Sequence, residues 1–189
     1  MNKSFLTGVT VHLRPLTEFD LTTKYRDWFN DEEVCQFNSH HRFPNYNEDM
    51  HAYYETTIRS HENLILAICD NETDTHVGNV SLQGINLLDR SAEFAIVIGE
   101  KTSRNRGVGV EVMQLILRHA FDQLNLNRVY CGTADNNIGM QRLALSTGFV
   151  EEGRSRQALF KNGAFHDIIH YGVLAHEYKA IVGGIESQV

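Results

Sequence analysis

A short turn, "RNRGVG" at residues 104–109, carries the residue types that suit phosphate binding. It follows the apolar run "AEFAIVIG" and leads at once into a segment whose apolar residues have helical spacing. A helix N-terminus offers unpaired backbone N–H groups and the positive end of the helix dipole. The two glycines leave room beside those groups, and the two arginines add positive charge. The stretch therefore predicts an anion-binding helix N-terminus, although a basic surface turn without a ligand has the same composition.

Two common nucleotide-binding motifs are excluded by the residues around this turn. A Walker loop would continue into Gly-Lys followed by Ser or Thr, and this sequence does not. The dinucleotide-binding motif would need a further glycine where Val112 stands. Another kind of phosphate-bearing ligand is therefore expected.

The apolar and turn residues predict the elements that position this turn. We expect one domain over residues 1–189, with a mixed central sheet and helices on both faces, which is an α/β or α+β three-layer fold. From residue 180 onward the chain is expected to be loosely ordered or to lie at an interface. Strands are predicted at 10–16, 63–69, 77–88, 91–99 and 128–134 and in a final hairpin over 148–174, and helices at 17–30 (continuing for a turn or two), at 48–60, from Val110 onward and at 137–148.

The charge and composition of the chain limit the classes of molecule that it is expected to bind. The net charge of −7 argues against nucleic acid and is compatible with cationic substrates. Neither the three scattered cysteines nor the ten histidines have the spacing of a metal site, so no metal is expected. No apolar run reaches the roughly 18 residues of a membrane helix, and the sparse cysteines fit a reducing compartment, so a cytoplasmic protein is expected.

Three stretches together resemble the GNAT (GCN5-related) N-acetyltransferases. "RNRGVG" matches the Arg/Gln-x-x-Gly-x-Gly/Ala motif of that family, between the expected strand and helix. "NNIGMQRLALSTGF" at 136–149 is similar to the second motif, and the ending at 148–174 resembles the ribosomal-protein (Rim-type) and spermidine-acetylating branch. The resemblance implies an α/β/α domain with a splayed, mostly antiparallel sheet, and acetyl-CoA-dependent acetylation of a primary amine.

The resemblance also implies where acetyl-CoA binds. Its pyrophosphate would lie on the amides of the turn, and its pantetheine arm would pair with the preceding strand like an extra strand. Asn137 would contact the cofactor, cap the following helix, or do both. The implied cofactor-binding residues are Ile96, Val97, Ile98, Arg104, Asn105, Arg106, Gly107, Val108, Gly109, Val110 and Asn137.

The chemistry requires a neutral amine, a stabilised oxyanion and a leaving thiolate. Glu93 is the candidate base, since its position resembles the acidic residue that some relatives use; a surface glutamate at a strand end is the alternative. The oxyanion is expected at a backbone N–H within residues 96–98. Ala144 and Met140 stand where relatives carry a hydroxyl, so no acid is assigned.

The acceptor is expected to meet the loop 38–46 and the final hairpin. Three acceptor classes stay open: a protein N-terminus, a polyamine or other small amine, and an amino sugar. Because the hydroxyls are missing, a non-catalytic acyl-CoA sensor is the alternative function, and a homodimer is possible. The candidate acceptor-binding residues are His41, Arg42, Phe43, Phe160, His166 and Tyr171, and their neighbours His40 and Asp167 lie in the same two segments.

Overall fold

The computed structural model describes residues 4–104 and 106–186, which contain one eight-stranded sheet. The strand order is β1-β2-β3-β4-β5-β6-β8-β7, and every neighbouring pair is antiparallel except β5 and β6. This confirms the mixed, mostly antiparallel sheet. The strands are β1 (Leu6–Thr7), β2 (Val11–Pro15), β3 (Leu64–Asp70), β4 (His76–Asn86), β5 (Ser91–Ile98), β6 (Arg128–Ala134), β7 (Val150–Lys161) and β8 (Ala164–Leu174).

Helices cover both faces of the sheet, which confirms the three-layer prediction. Successive side chains of a strand point to opposite faces of the sheet, and β3 has a core on each face. Ile68 packs in a large core that includes α4, whereas Cys69 packs in a smaller core with α1, α2 and α3. No helix among the described residues is long and apolar enough to cross a membrane. The helices are α1 (Glu18–Leu21), α2 (Lys24–Phe29), α3 (Asn47–Ile58), α4 (Val108–Asp122), α5 (Ile138–Ser146) and α6 (Ala175–Glu186).

The first helical region differs from the prediction of one helix over 17–30. Thr22 and Thr23 each donate a side-chain hydrogen bond to a carbonyl three residues back, at 2.8 Å. Such bonds compete with the helical ladder, so the chain forms α1 and α2 instead. Residues 31–37 form turns rather than further helix.

The ends of two other helices also differ from expectation. The helix predicted from Val110 starts at Val108, because Gly107 serves as its N-cap. Residues 180–186 belong to helix α6, whereas residues 187–189 of the segment expected to be loosely ordered or to lie at an interface are outside the described part.

The parallel strands β5 and β6 run side by side over only a short stretch. Their last paired positions are Glu93 and Tyr130. Beyond this point β5 stays paired with β4 to Ile98, while β6 stays paired with β8 to Ala134. A gap therefore opens between their carboxyl halves, and α4 and α5 begin at the same edge of the sheet, where open α/β sheets bind ligands.

Candidate active site

The N-terminus of α4 presents free backbone donors to this gap. Gly107 caps the helix with φ 80° and ψ −6°, a left-handed conformation that L-residues with a Cβ adopt at a cost. Helical bonding begins with the N–H of Glu111, which donates to the Gly107 carbonyl at 3.1 Å. A glycine cap has no side chain to bond the preceding N–H groups, those of Val108, Gly109 and Val110. This first turn fits an anionic group.

Gly109 has a packing role as well. A Cβ at this position would lie 3.3 Å from Cδ2 of Leu143 on α5, which is tighter than ordinary contact. The glycine therefore lets α4 and α5 approach closely at the edge of the gap, in addition to leaving space near the amides.

The two arginines of the turn differ in their surroundings. Arg104 donates from Nε to the Ile98 carbonyl at 3.1 Å and from Nη1 to Glu33 at 3.2 Å, and Lys101 also pairs with Glu33. To contact a phosphate, the Arg104 guanidinium would have to leave these partners. Arg106 is exposed, and Asn105 lies outside the described residues.

The pairing of β4 with β5 decides which backbone groups face the gap. The N–H of Gly99 donates to the Val77 carbonyl at 3.0 Å, and polar groups of successive strand residues point to opposite neighbours. Val97 therefore bonds towards β4, whereas the backbone groups of Ile96 and Ile98 face the gap. Of the three predicted strand residues, these two are placed to pair with an amide-bearing arm.

A cavity of about 430 Å³ lies between the sheet and the helices α2 and α3. Its wall includes the side of β5 that carries Ala95 and Val97. The volume falls in the range of small-molecule sites, roughly 300–1,000 Å³. Its polar lining comes from Tyr25, His40, Asn45, Asp49, Tyr53, Asn79, Ser81 and Gln83.

Glu93 lies beside this cavity, at the point where β5 and β6 part. Side chains alternate along a strand, so Glu93 shares its face with the cavity-lining Ala95. Its partner on β4 is Gln83, which also lines the cavity. The side chain is half-buried, and within the described residues no ion pair or hydrogen bond holds its carboxylate. The group is therefore free to accept a proton.

Asn79 is a cavity residue that the sequence analysis missed. It is 6% exposed, its Oδ1 lies 3.2 Å from Nε2 of His76, and its Nδ2 has no partner among the described residues. A buried donor without an acceptor costs about 1–3 kcal/mol, so this amide is suited to a ligand. The signal was the alternation of Asn79, Ser81 and Gln83 with apolar residues, which gives a central strand one polar face.

The loop 38–46 docks on the final hairpin, as expected for the acceptor side. Arg42 donates to the Phe160 carbonyl at 3.0 Å, and Lys161 donates to the His40 carbonyl at 2.8 Å. The ring of Phe160 packs on that of Phe165, with centroids 4.9 Å apart. The structure thus brings together two of the predicted acceptor residues, Arg42 and Phe160.

His40, and not His41, is the loop histidine that lines the cavity. Its ring packs on Phe29, with centroids 4.5 Å apart. Burial, and secondly the Lys161 ammonium, lower the pKa of His40, which favours a neutral imidazole. His41 is exposed with φ 59°, and Phe43 is 84% exposed. Neither lines the cavity, so their contact with the acceptor stays a prediction.

The remaining predicted residues occupy different positions. Tyr171 is 2% exposed in the large core, so it packs the sheet and has no surface to offer an acceptor. His166 pairs through Nδ1 with Oδ1 of Asp135 at 3.2 Å, just beyond the end of β6. Asn137 accepts a hydrogen bond from the Met140 N–H at 3.2 Å and so caps α5, which leaves its Nδ2 for any cofactor contact. Ala144 is fully buried in the large core.

Comparison with known proteins agrees with this geometry. Residues 10–150 match the family described as the acetyltransferase (GNAT) domain. The spermidine N(1)-acetyltransferase of Vibrio cholerae is 33% identical over 102 residues, which are 54% of this chain and 58% of that protein. YdaF of Bacillus subtilis, inferred to be a ribosomal N-acetyltransferase, is 31% identical over 102 residues, 54% of this chain and 55% of that protein. These two matches span little more than half of each relative.

A solved structure extends the likeness along the chain. The crystal structure of the Vibrio cholerae spermidine N-acetyltransferase in complex with CoA and spermine has a TM-score of 0.83 and 25% identity. It covers 89% of this chain and 98% of that chain. The chain belongs to the GNAT acetyltransferase family. It is an N-acetyltransferase that takes its acetyl group from acetyl-CoA and transfers it to an amine.

Proposed function

We propose that the acceptor is a small cationic amine of the polyamine type and that Glu93 removes the proton from its attacking nitrogen. The observation that carries this proposal is the Glu93 carboxylate, which has no partner among the described residues and lies on the strand face that lines a cavity of about 430 Å³. The Asp49 carboxylate in the cavity lining suits a second positive charge of the acceptor. The spermine in the complex of the Vibrio cholerae relative supports the same class.

The described residues fit acetyl-CoA. The N–H groups of Val108, Gly109 and Val110 would receive the pyrophosphate, with Arg106 nearby in sequence. The gap-facing backbone groups of Ile96 and Ile98 would pair with the pantetheine amides. When bound, acetyl-CoA supplies the thioester carbonyl that the amine attacks.

The chain's own groups then move one proton and hold one developing charge. An amine with a pKa near 10.4 costs about 4.6 kcal/mol to deprotonate at pH 7, so a base contributes strongly. Glu93 takes that proton, directly or through a water. A gap-facing N–H of Ile96 or Ile98 donates to the carbonyl oxygen as negative charge develops there. The nitrogen–carbon bond forms and the carbon–sulfur bond breaks; the second proton of the nitrogen then goes to the leaving thiolate or to solvent, since no side-chain acid is assigned.

A panel of acceptors tests the proposed class. Thiol release from acetyl-CoA is measured with spermine and spermidine, with peptides that start in Ser or Ala, and with amino sugars. We expect the highest kcat/KM with the polyamines. Preference for the peptides would instead support the protein N-terminus reading that YdaF suggests. Acetyl-CoA binding with no release on any amine would support the sensor.

Three coarser features of the chain support further proposals. All three cysteines are buried free thiols, which supports a cytoplasmic location. The sheet joins residues from both ends of the described chain, which supports a single domain over 1–189.

Strand β7 is a largely exposed edge of the sheet, which supports a homodimer through that edge. Light scattering measures the last point directly, and a monomeric mass at all concentrations would contradict it.

A further inference from the structure

Three residues with metal-binding side chains meet at the end of β3, outside the active-site cavity. His12 of β2 is the cross-strand partner of Cys69 on β3, and Asp74 lies in the turn between β3 and β4. Their ligating atoms all lie within 4.8 Å of one another. His12 Nε2 is 3.2 Å from Asp74 Oδ1. The sequence gives no hint of this cluster, because only the register of the sheet brings position 12 to position 69.

A fourth residue, Asn71, fixes the orientation of the His12 ring. The Nδ2 group of Asn71 donates to the carbonyls of Gly8 at 3.1 Å and Val9 at 2.9 Å. Its Oδ1 therefore faces Nδ1 of His12, at 2.9 Å. Since that oxygen can only accept, Nδ1 carries the hydrogen. Histidines that bind metals are oriented in this way, with one nitrogen held by an oxygen and the other presented to the ion.

The remaining nitrogen of His12 then faces a carboxylate. His12 Nε2 and Asp74 Oδ1 lie 3.2 Å apart, which is close to the separation of two ligand atoms on a tetrahedral zinc ion, roughly 3.3 Å. The thiol of Cys69, which is fully buried at the edge of the smaller core, is the third member of the group.

We propose that His12, Cys69 and Asp74 bind a zinc-like divalent cation, with a water as fourth ligand. Nitrogen, sulfur and carboxylate oxygen are the ligands that zinc takes. Bond lengths of about 2.0–2.3 Å in a tetrahedral site place the ligand atoms roughly 3.3–3.6 Å apart. The ligand atoms, now within 4.8 Å of one another, would have to move closer by roughly 1.5 Å at most, and the thiol proton leaves to solvent on binding.

The proposed site is structural, because none of its three residues lines the active-site cavity. A cation there would tie β2 to β3 and to the turn that leads into β4. Binding to the folded chain alone raises its stability by mass action, so the melting temperature should rise with zinc. This site is independent of the proposed acceptor, and its failure would leave that proposal intact.

Cobalt(II) tests the site, because a thiolate ligand gives it a charge-transfer band in the near ultraviolet. The full chain is stripped with a chelator, kept reduced and titrated with Co²⁺ and then with Zn²⁺. We expect the band to appear, to vanish on Zn²⁺ addition, and to be absent in Cys69→Ser. A wild-type chain without the band would overturn the proposal.

A matched pair of turn variants keeps the test valid if Cys69→Ser folds poorly. Asp74 has φ 55°, a conformation that asparagine tolerates, so Asp74→Asn removes the charge without disturbing the turn. Glu72→Gln removes an exposed carboxylate from the same turn. We expect Asp74→Asn to weaken Co²⁺ binding by about tenfold or more and Glu72→Gln to leave it unchanged. Equal effects of the two variants would mean non-specific attraction to a negative turn and would also overturn the proposal.

Discussion

Glu93 on β5 pairs with Tyr130 on β6 at the last position where these parallel strands run side by side. On the amino-terminal side of this pair β5 and β6 lie side by side. On the carboxyl-terminal side they diverge, and the helices α4 and α5 begin at that edge of the sheet. The candidate base thus lies where the cavity for the acceptor meets the gap that fits acetyl-CoA. Both reactants would reach one carboxylate from different sides.

The left-handed cap of α4 predicts a specific effect of Gly107→Ala. A Cβ at φ 80° is strained by about 1–2 kcal/mol, and relief of that strain would move the first-turn amides. We expect lower stability and weaker acetyl-CoA binding, measured by denaturation and calorimetry. Gly163→Ala is the control, because Gly163 has φ 78° in the last hairpin and, like Gly107, open space where a Cβ would sit. It should lose similar stability and keep its acetyl-CoA affinity; equal affinities of both variants would contradict the binding role of the turn.

Close packing beneath the phosphate turn predicts that Gly99→Ala destabilises the fold. A Cβ there would lie 2.0 Å from Cδ2 of Trp28, whose indole is 5% exposed and cannot swing away. Overpacking of this kind costs about 1–3 kcal/mol or more. Chemical denaturation should show this loss, whereas Gly139→Ala, with no contact closer than 3.7 Å, should be near neutral. A neutral Gly99→Ala would show that α2 is not seated on β5 in this way.

A buried ion pair predicts how stability falls in acid. Burial by itself raises the pKa of Asp20, but hydrogen bonds from Arg14 and Thr17, together with the His76 ring 3.4 Å away, outweigh it and hold that pKa well below its usual range. A carboxyl with a depressed folded pKa stabilises above its unfolded pKa, about 3.9, and loses that contribution as the pH falls further. The free energy of unfolding of the wild type should therefore fall as the pH is lowered below about 4, because Asp20 becomes protonated.

Asp20→Asn should remove part of that acid dependence. At pH 7 it should cost about 3–5 kcal/mol, because Arg14 is left buried without its partner. Asp27→Asn breaks the exposed pair with Arg26 and should cost about 0–1 kcal/mol. Urea midpoints between pH 7 and pH 3 measure both. An unchanged acid slope in Asp20→Asn would place the titration elsewhere.

The unpartnered amide of Asn79 predicts a binding defect without a folding defect. Asn79→Ala removes a donor without a partner among the described residues, and His76 Nε2 keeps the Gly78 carbonyl at 2.9 Å when it loses Asn79 Oδ1, so stability should change little. If a substrate accepts from this group, KM for that substrate should rise about fivefold, the equivalent of one hydrogen bond of about 1 kcal/mol. Ser81→Ala is the control on the same strand face, since Ser81 already accepts from Gln83 at 2.9 Å. If KM for acetyl-CoA and KM for the amine are both unchanged in Asn79→Ala, the proposal that this amide binds a substrate is contradicted.

The strand–turn–helix order around residues 104–109 could be predicted from the sequence, because its information is local. A strand, a glycine turn and a helix lie consecutively, and the structure adds only the reason for Gly107. The sequence could not predict that Arg104 would pair with Glu33, because that contact crosses from the turn before α4 to the turn after α2. Tyr171 was misplaced since a strand pattern does not reveal which face is covered when the neighbouring strand is unknown.

The most direct test of the account compares Glu93→Gln with Glu62→Gln, an exposed glutamate remote from β5 in sequence. With spermine at pH 7, Glu93→Gln should lower kcat by roughly 10²–10⁴-fold and leave acetyl-CoA affinity unchanged. The loss of kcat should shrink as the pH approaches the pKa of the free amine, near 10.4, because the acceptor then loses its proton without a base. Glu62→Gln should match the wild type throughout. A Glu93→Gln enzyme as active as Glu62→Gln at pH 7 would contradict the assignment of Glu93 as the base.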